Sequence, residues 1–173
     1  MGHQRKRKSS PLGAIGRGLA AAGVGTAAMD ALLYGRYRRG GGEQGWWAWE
    51  TGAELKQWDD VSTPGQVGKR VLEGLLHRKA PDEWARSTNN TVHWLTGLAW
   101  GAQFGVVAGS SAKPRVWWGP LLGSAVWLTN YAVLPTVGLY KPIGEYDFNT
   151  LAKDLSAHIV FGTVTGAVFV AAM

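Results

Sequence analysis

Four side chains stand out against an otherwise apolar background as able to do chemistry: Asp30, His93, Asn130 and His158. The two histidines open the same pattern, His93-x-x-x-Gly97-x-x-x-Gly101 and His158-x-x-x-Gly162-x-x-x-Gly166. Imidazole and carboxylate titrate as a couple near neutral pH. The set therefore reads first as two structural hydrogen bonds, Asp30 to His93 and Asn130 to His158, and second as a proton or ion path. Two facing imidazoles are also a weak candidate pair for haem or another metal at His93 and His158; otherwise no cofactor is implied. The chain lacks cysteine, which excludes disulfides, thiol catalysis and thiolate-held metal. No nucleophile elbow or paired-carboxylate motif is present, and Gly13, Gly16 and Gly18 lack the strand that a phosphate-binding loop needs. Asp59, Asp60 and His77 are what remains for an enzyme, and they sit in a charge-mixed segment of the kind that is ordinarily solvated surface.

The elements that must carry these groups are apolar and long. The hydrophobic fraction is 46% before the 25 glycines are added, and charged residues make up 17%. A soluble domain has about 45–50% apolar residues with glycine included and about 25% charged. Residues 87–112, 116–140 and 155–173 contain no Asp, Glu, Lys or Arg, and each approaches or exceeds the ~20 residues that cross a bilayer. Gly18 to Tyr34 is a fourth, Ala- and Gly-rich candidate interrupted by Asp30, with a cleaved signal peptide as its competing reading. The expected architecture is an all-α integral membrane four-helix bundle with spans near 18–34, 92–109, 117–134 and 155–172, behind a basic tail over 1–17. The formal charge of +6 owes much to Arg5-Lys6-Arg7-Lys8, a flank suited to the cytoplasmic side. No aromatic-interleaved basic domain accompanies it, so a nucleic-acid partner is not expected.

Residues 35–90 mix nine Lys or Arg with eight Asp or Glu and read as a loop on the membrane surface. Trp46, Trp47, Trp49 and Trp58, with Trp117 and Trp118 further on, are candidate interfacial anchors, because an indole seats an apolar body and a polar tip at headgroup level. Ser62-Thr63-Pro64-Gly65-Gln66 predicts a helix start with Thr63 as cap and Gln66 closing a capping box. The helix over 64–77 gathers Val67, Val71 and Leu75 on one face and is amphipathic. Pro81 predicts a second start leading into the span near 92, and Pro135 predicts the end of the third span.

The paired patterns suggest that spans one and two are repeated by three and four, with Gly23 matching Gly123 and Asp30 matching Asn130. Gly97, Gly101, Gly162 and Gly166 would let helices approach closely, first within the bundle and otherwise in a homo-oligomer or against a partner membrane protein. If the helices alternate in direction, Asp30, His93 and His158 share one depth, about 6 Å inside one interface at 1.5 Å per residue. Cations near the span ends are evenly divided, and the first span favours both termini in the cytoplasm. The run TPGQVGKRVLEGL, with NNTVHWLTGLAWGAQFG and LAKDLSAHIVFGTVTG, resembles four-span inner-membrane proteins of bacteria, actinobacteria especially, loosely of the YagU type. That resemblance implies a bacterial cytoplasmic membrane and carries over no catalytic residue. The functional expectation is a scaffold, accessory subunit or self-associating module, with a small transporter or channel as the alternative and a bis-histidine haem protein as the third.

Overall fold

The computed structural model describes residues 10–111 and 114–173; the Arg5–Lys8 cluster and Lys113 lie outside them. The described residues hold helices and turns without a strand. Helix α1 covers Pro11–Arg39, α2 Trp46–Glu50, α3 Thr63–Leu76, α4 Ala85–Ser110, α5 Trp118–Val133 and α6 Phe148–Ala171. Two of these, α1 and α6, are long and apolar enough to cross a membrane.

Helix α1 begins well before residue 18, because the Ser10 hydroxyl accepts the Gly13 amide and Pro11 sits in the first turn, where its missing N–H costs nothing. The segment read as a tail up to residue 17 is therefore partly helical. Helix α6 likewise starts before residue 155, at an Asp147 cap whose carboxylate accepts the Thr150 amide. Those hydrogen bonds, the Thr150 hydroxyl's first, hold the Asp147 carboxyl below its ordinary range. Helix α3 lies where amphipathicity places it, but the capping box does not form. Ser62 is the cap residue, without a side-chain bond to the helix, and the Gln66 amide instead donates to the Trp58 carbonyl. Helix α5 ends at Val133 and continues as a 3-10 turn over Leu134–Val137 that closes on Gly138 at φ 68°. Its 16 residues span only about 24 Å at 1.5 Å each, short of a ~30 Å hydrocarbon core.

The four long helices pack as a row, α4 on α1, α1 on α6 and α6 on α5, while α4 and α5 barely touch. Contacts at both ends fix the directions. Asp30 meets His93 and Ala14 meets Gly109, so α1 and α4 are antiparallel; Asn130 meets His158 and Gly119 meets Gly166, so α5 and α6 are too. The ends Pro11, Ser110, Trp118 and Ala171 consequently share one side, and α2, α3 and the turns after α5 cap the other.

Glycine sets the close approaches. Gly101 packs on Gly18 and Ala22, Gly97 on Thr26, Gly162 on Gly119 and Gly123, and Gly166 on Gly119. Asp30 and Asn130 meet equivalent histidines as expected, but the glycines do not follow one register: Gly123 packs on the His158 and Ile159 backbone, whereas Gly23 meets only the Leu98 side chain. A core of Ala21, Ala22, Phe104, Val126, Phe161 and Phe169 fills the row. A second, smaller core in the cap joins Trp58, Val61, Ala80 and Ala85, with Leu72 of α3 against it.

Candidate functional site

Because α4 and α5 stand apart, the face of α1 and α6 between them is left as the floor of a cavity of about 460 Å³, roofed by α2, α3 and Tyr140. Asp30, His93, Asn130 and His158 all line it. His93 Nε2 lies 3.0 and 3.1 Å from the two oxygens of Asp30, whose side chain is 5% exposed against 28% for the histidine. Across the cavity, His158 Nε2 is 3.3 Å from Asn130 Nδ2. His158 Nδ1 is 3.0 Å from the Asp154 carbonyl one turn earlier. A carbonyl only accepts, so Nδ1 carries a proton toward it, and Nε2 faces the Asn130 amide.

Two further carboxylates join these groups. Asp154 enters from the second turn of α6, four residues before His158, its Oδ1 3.5 Å from His158 Nδ1. Glu50 arrives from the cap. Tyr34 packs on Trp46 and Trp49 at 5.2 and 5.4 Å, and the Tyr34 hydroxyl donates to the Gln44 carbonyl while the Tyr37 hydroxyl accepts the Gln44 amide. These contacts fold α2 back under the end of α1 and put Glu50 near Asp30. Burial pushes the Glu50 carboxyl up and the Asp30 charge adds to it, while Trp94 Nε1, donating at 3.2 Å, pulls the other way. Burial also raises the Tyr140 hydroxyl, with the Asp154 charge contributing.

Cations near the cap are turned elsewhere. Arg36 donates to the Lys153 carbonyl and Ser156 hydroxyl, Arg86 to Thr51, and Arg70 to the Val137 carbonyl. No Lys or Arg among the described residues lines the cavity. Below the histidines, Thr26 is 2% exposed and its hydroxyl has no hydrogen-bond partner among the described residues.

The tryptophans divide. Trp46 and Trp49 build the aromatic cluster with Tyr34, whereas Trp47 stands 75% exposed. Trp58 is 3% exposed, with Nε1 donating to the Ala80 and Pro81 carbonyls. It is a core residue of the cap instead of the interfacial anchor expected. Trp117 is exposed at the opposite end, and Trp118 packs against the main core. Asp60 accepts the amides of Lys56 and Gln57, and His77 ends α3 in the left-handed region; neither lines the cavity. No group of three or more potential metal-ligating side chains occurs among the described residues. No protein-family model matches the chain, and neither a curated protein nor a solved structure is significantly similar to it.

Proposed function

We propose that the chain is a four-span protein of the bacterial inner membrane that binds a small solute in the cavity between α4 and α5, as a transporter or solute-responsive membrane protein does. The carrying observation is the cavity itself, an apolar hollow into which two histidine pairs and two further carboxylates converge, the usual form of a small-molecule site. The membrane reading draws support from what the helices leave outside. Val24 on α1, Leu95 and Val107 on α4, and Leu121 and Leu128 on α5 are 49–64% exposed, and bands of large apolar side chains of this kind suit lipid better than water. The inner-membrane location rests on the likeness to YagU-type proteins together with the apolar composition.

A scaffold or self-associating role drew on the glycine stripes, and the contacts of Gly97, Gly101, Gly162 and Gly166 within one chain account for them. A bis-histidine haem role would leave Asp30 as the partner of His93 Nε2, but would require His158, bonded at both ring nitrogens, to give up one of those contacts.

The absence of native cysteine makes single-cysteine labelling in proteoliposomes a direct test. With a charged, water-soluble thiol reagent, Thr96→Cys in the cavity wall is expected to react, while Leu95→Cys and Leu128→Cys, facing lipid, stay unreactive. Reaction at Leu95 and Leu128 with Thr96 protected reverses the reading.

A further inference from the structure

Resting on that solute-binding reading, we infer that the cavity takes an organic cation with an apolar body. Anions are disfavoured by the charge census: Asp30, Glu50 and Asp154 line the walls, with no Lys or Arg among the described residues to offset them. Among the described residues the only basic side chains in the lining are the two imidazoles, His93 against Asp30 and within reach of Glu50, and His158 with Nδ1 3.5 Å from an Asp154 oxygen. Three carboxylates thus face at most two imidazoles, and Arg36, Arg70 and Arg86 are committed to other acceptors.

The shape argues against a bare metal ion. The carboxylates approach from α1, α2 and α6, on different walls, and do not assemble into a group that would hold one. Aromatic side chains lie between them instead: Trp49 and Tyr140 in the roof, Trp100 and Phe161 deeper down. Carboxylates beside indole and phenyl faces are the usual recognition elements for ammonium and phosphonium groups. The volume of about 460 Å³ falls within the ~300–1,000 Å³ of small-molecule sites. The unpartnered Thr26 hydroxyl at the floor supplies one further acceptor.

The test uses the full chain in proteoliposomes, carrying Thr96→Cys, with two ions of nearly equal shape and opposite charge, tetraphenylphosphonium and tetraphenylborate. Tetraphenylphosphonium is expected to slow labelling saturably, and tetraphenylborate to leave it unchanged. Adding Glu50→Gln, which keeps an acceptor for Trp94, is expected to weaken protection about tenfold, and Trp100→Leu to weaken it by a similar factor. Asp154→Asn provides a second charge removal whose melting temperature can be matched to the parent. Equal protection by both ions, or by neither, with Thr96→Cys still reactive overturns the cation assignment and leaves the solute cavity standing. Parent-like protection in both Glu50→Gln and Asp154→Asn overturns it as well. Loss of Thr96→Cys reactivity in the absence of any ion removes the cavity reading and the cation with it.

Discussion

Asp30 and Glu50 show how two carboxylates in one cavity come to behave differently. Asp30 has a partner, and removing it by His93→Ala strands a charge whose side chain is 5% exposed. That variant is expected to lose roughly 3–5 kcal/mol, the scale for breaking a buried pair from one side. Asp30→Asn on top should recover most of the loss, because an amide needs no counter-charge; thermal unfolding of the four members of the cycle in detergent measures it. Glu50 has no Lys or Arg bonded to it, and burial and the Asp30 charge raise its pKa although the His93 charge pulls it down, so folding disfavours its ionised form. The stability it permits is complete below the ordinary value of 4.5 and is lost as pH rises through the higher folded value. Glu50→Gln should accordingly be more stable than the parent at neutral pH and indistinguishable from it below about pH 4, as unfolding midpoints across that range will show. Of these two residues only Asp30 could be placed from the sequence, since it interrupts an apolar helix and the repeated histidine pattern supplies its partner. Glu50 lies in a loop, and its approach depends on Tyr34 stacking with Trp46 and Trp49, a contact between aromatics that no periodicity records.

Between elements, glycine decides what a helix can touch. A methyl at Gly101 would run into the Gly18 carbonyl and the Ala22 side chain, and one at Gly162 into the Gly119 carbonyl and the Gly123 backbone. Gly16 and Gly35 of α1 have nothing within 4 Å of the same position. Gly101→Ala and Gly162→Ala are expected to destabilise by about 1–3 kcal/mol, since backbone cannot yield as a side chain can. Gly16→Ala and Gly35→Ala should be neutral or stabilising by up to about 1 kcal/mol, the helix-propensity difference. Melting temperatures of the four proteins sort the two classes. Helix positions followed from runs without charge and from Pro64, Pro81 and Pro135, while the early start of α1 at Pro11 did not. The register of the repeat followed only in part, because Asp30 and Asn130 do meet equivalent histidines while Gly23 and Gly123, aligned as letters, pack differently. Which small residue faces a neighbour depends on helix rotation, and a one-turn slip leaves the small-residue pattern nearly intact.

For the whole molecule, the antiparallel directions place the start of α1 and the end of α6 on one side and the α2–α3 cap on the other. In a bilayer, Gly41→Cys and Met173→Cys are expected to label from opposite sides, with the cap side also admitting reagent to Thr96→Cys. Labelling of both from one side would mean an even number of crossings between Gly41 and Met173, against the three expected of α4, α5 and α6. The row order itself was hidden in the sequence, which supports a closed bundle equally well. It follows from Gly25 of α1 seating against Thr165 and Phe161 of α6, a match between the first long helix and the last.

That match has a consequence for how the chain is made. Helix α1 leaves the ribosome before α4, α5 and α6, yet one of its two packed flanks is covered by α6, which is made after the other three. Until then Gly25 and its neighbours present an open seam, and α5, which packs mainly on α6 and hardly on α4, has no partner in place. A nascent protein stopped within the α5–α6 connection would carry two unmatched helix faces, the condition under which intermediates aggregate or are degraded. Supplying α6 as a separate polypeptide should restore such a truncated chain, so this 24-residue helix acts as a clasp joining α1 to α5.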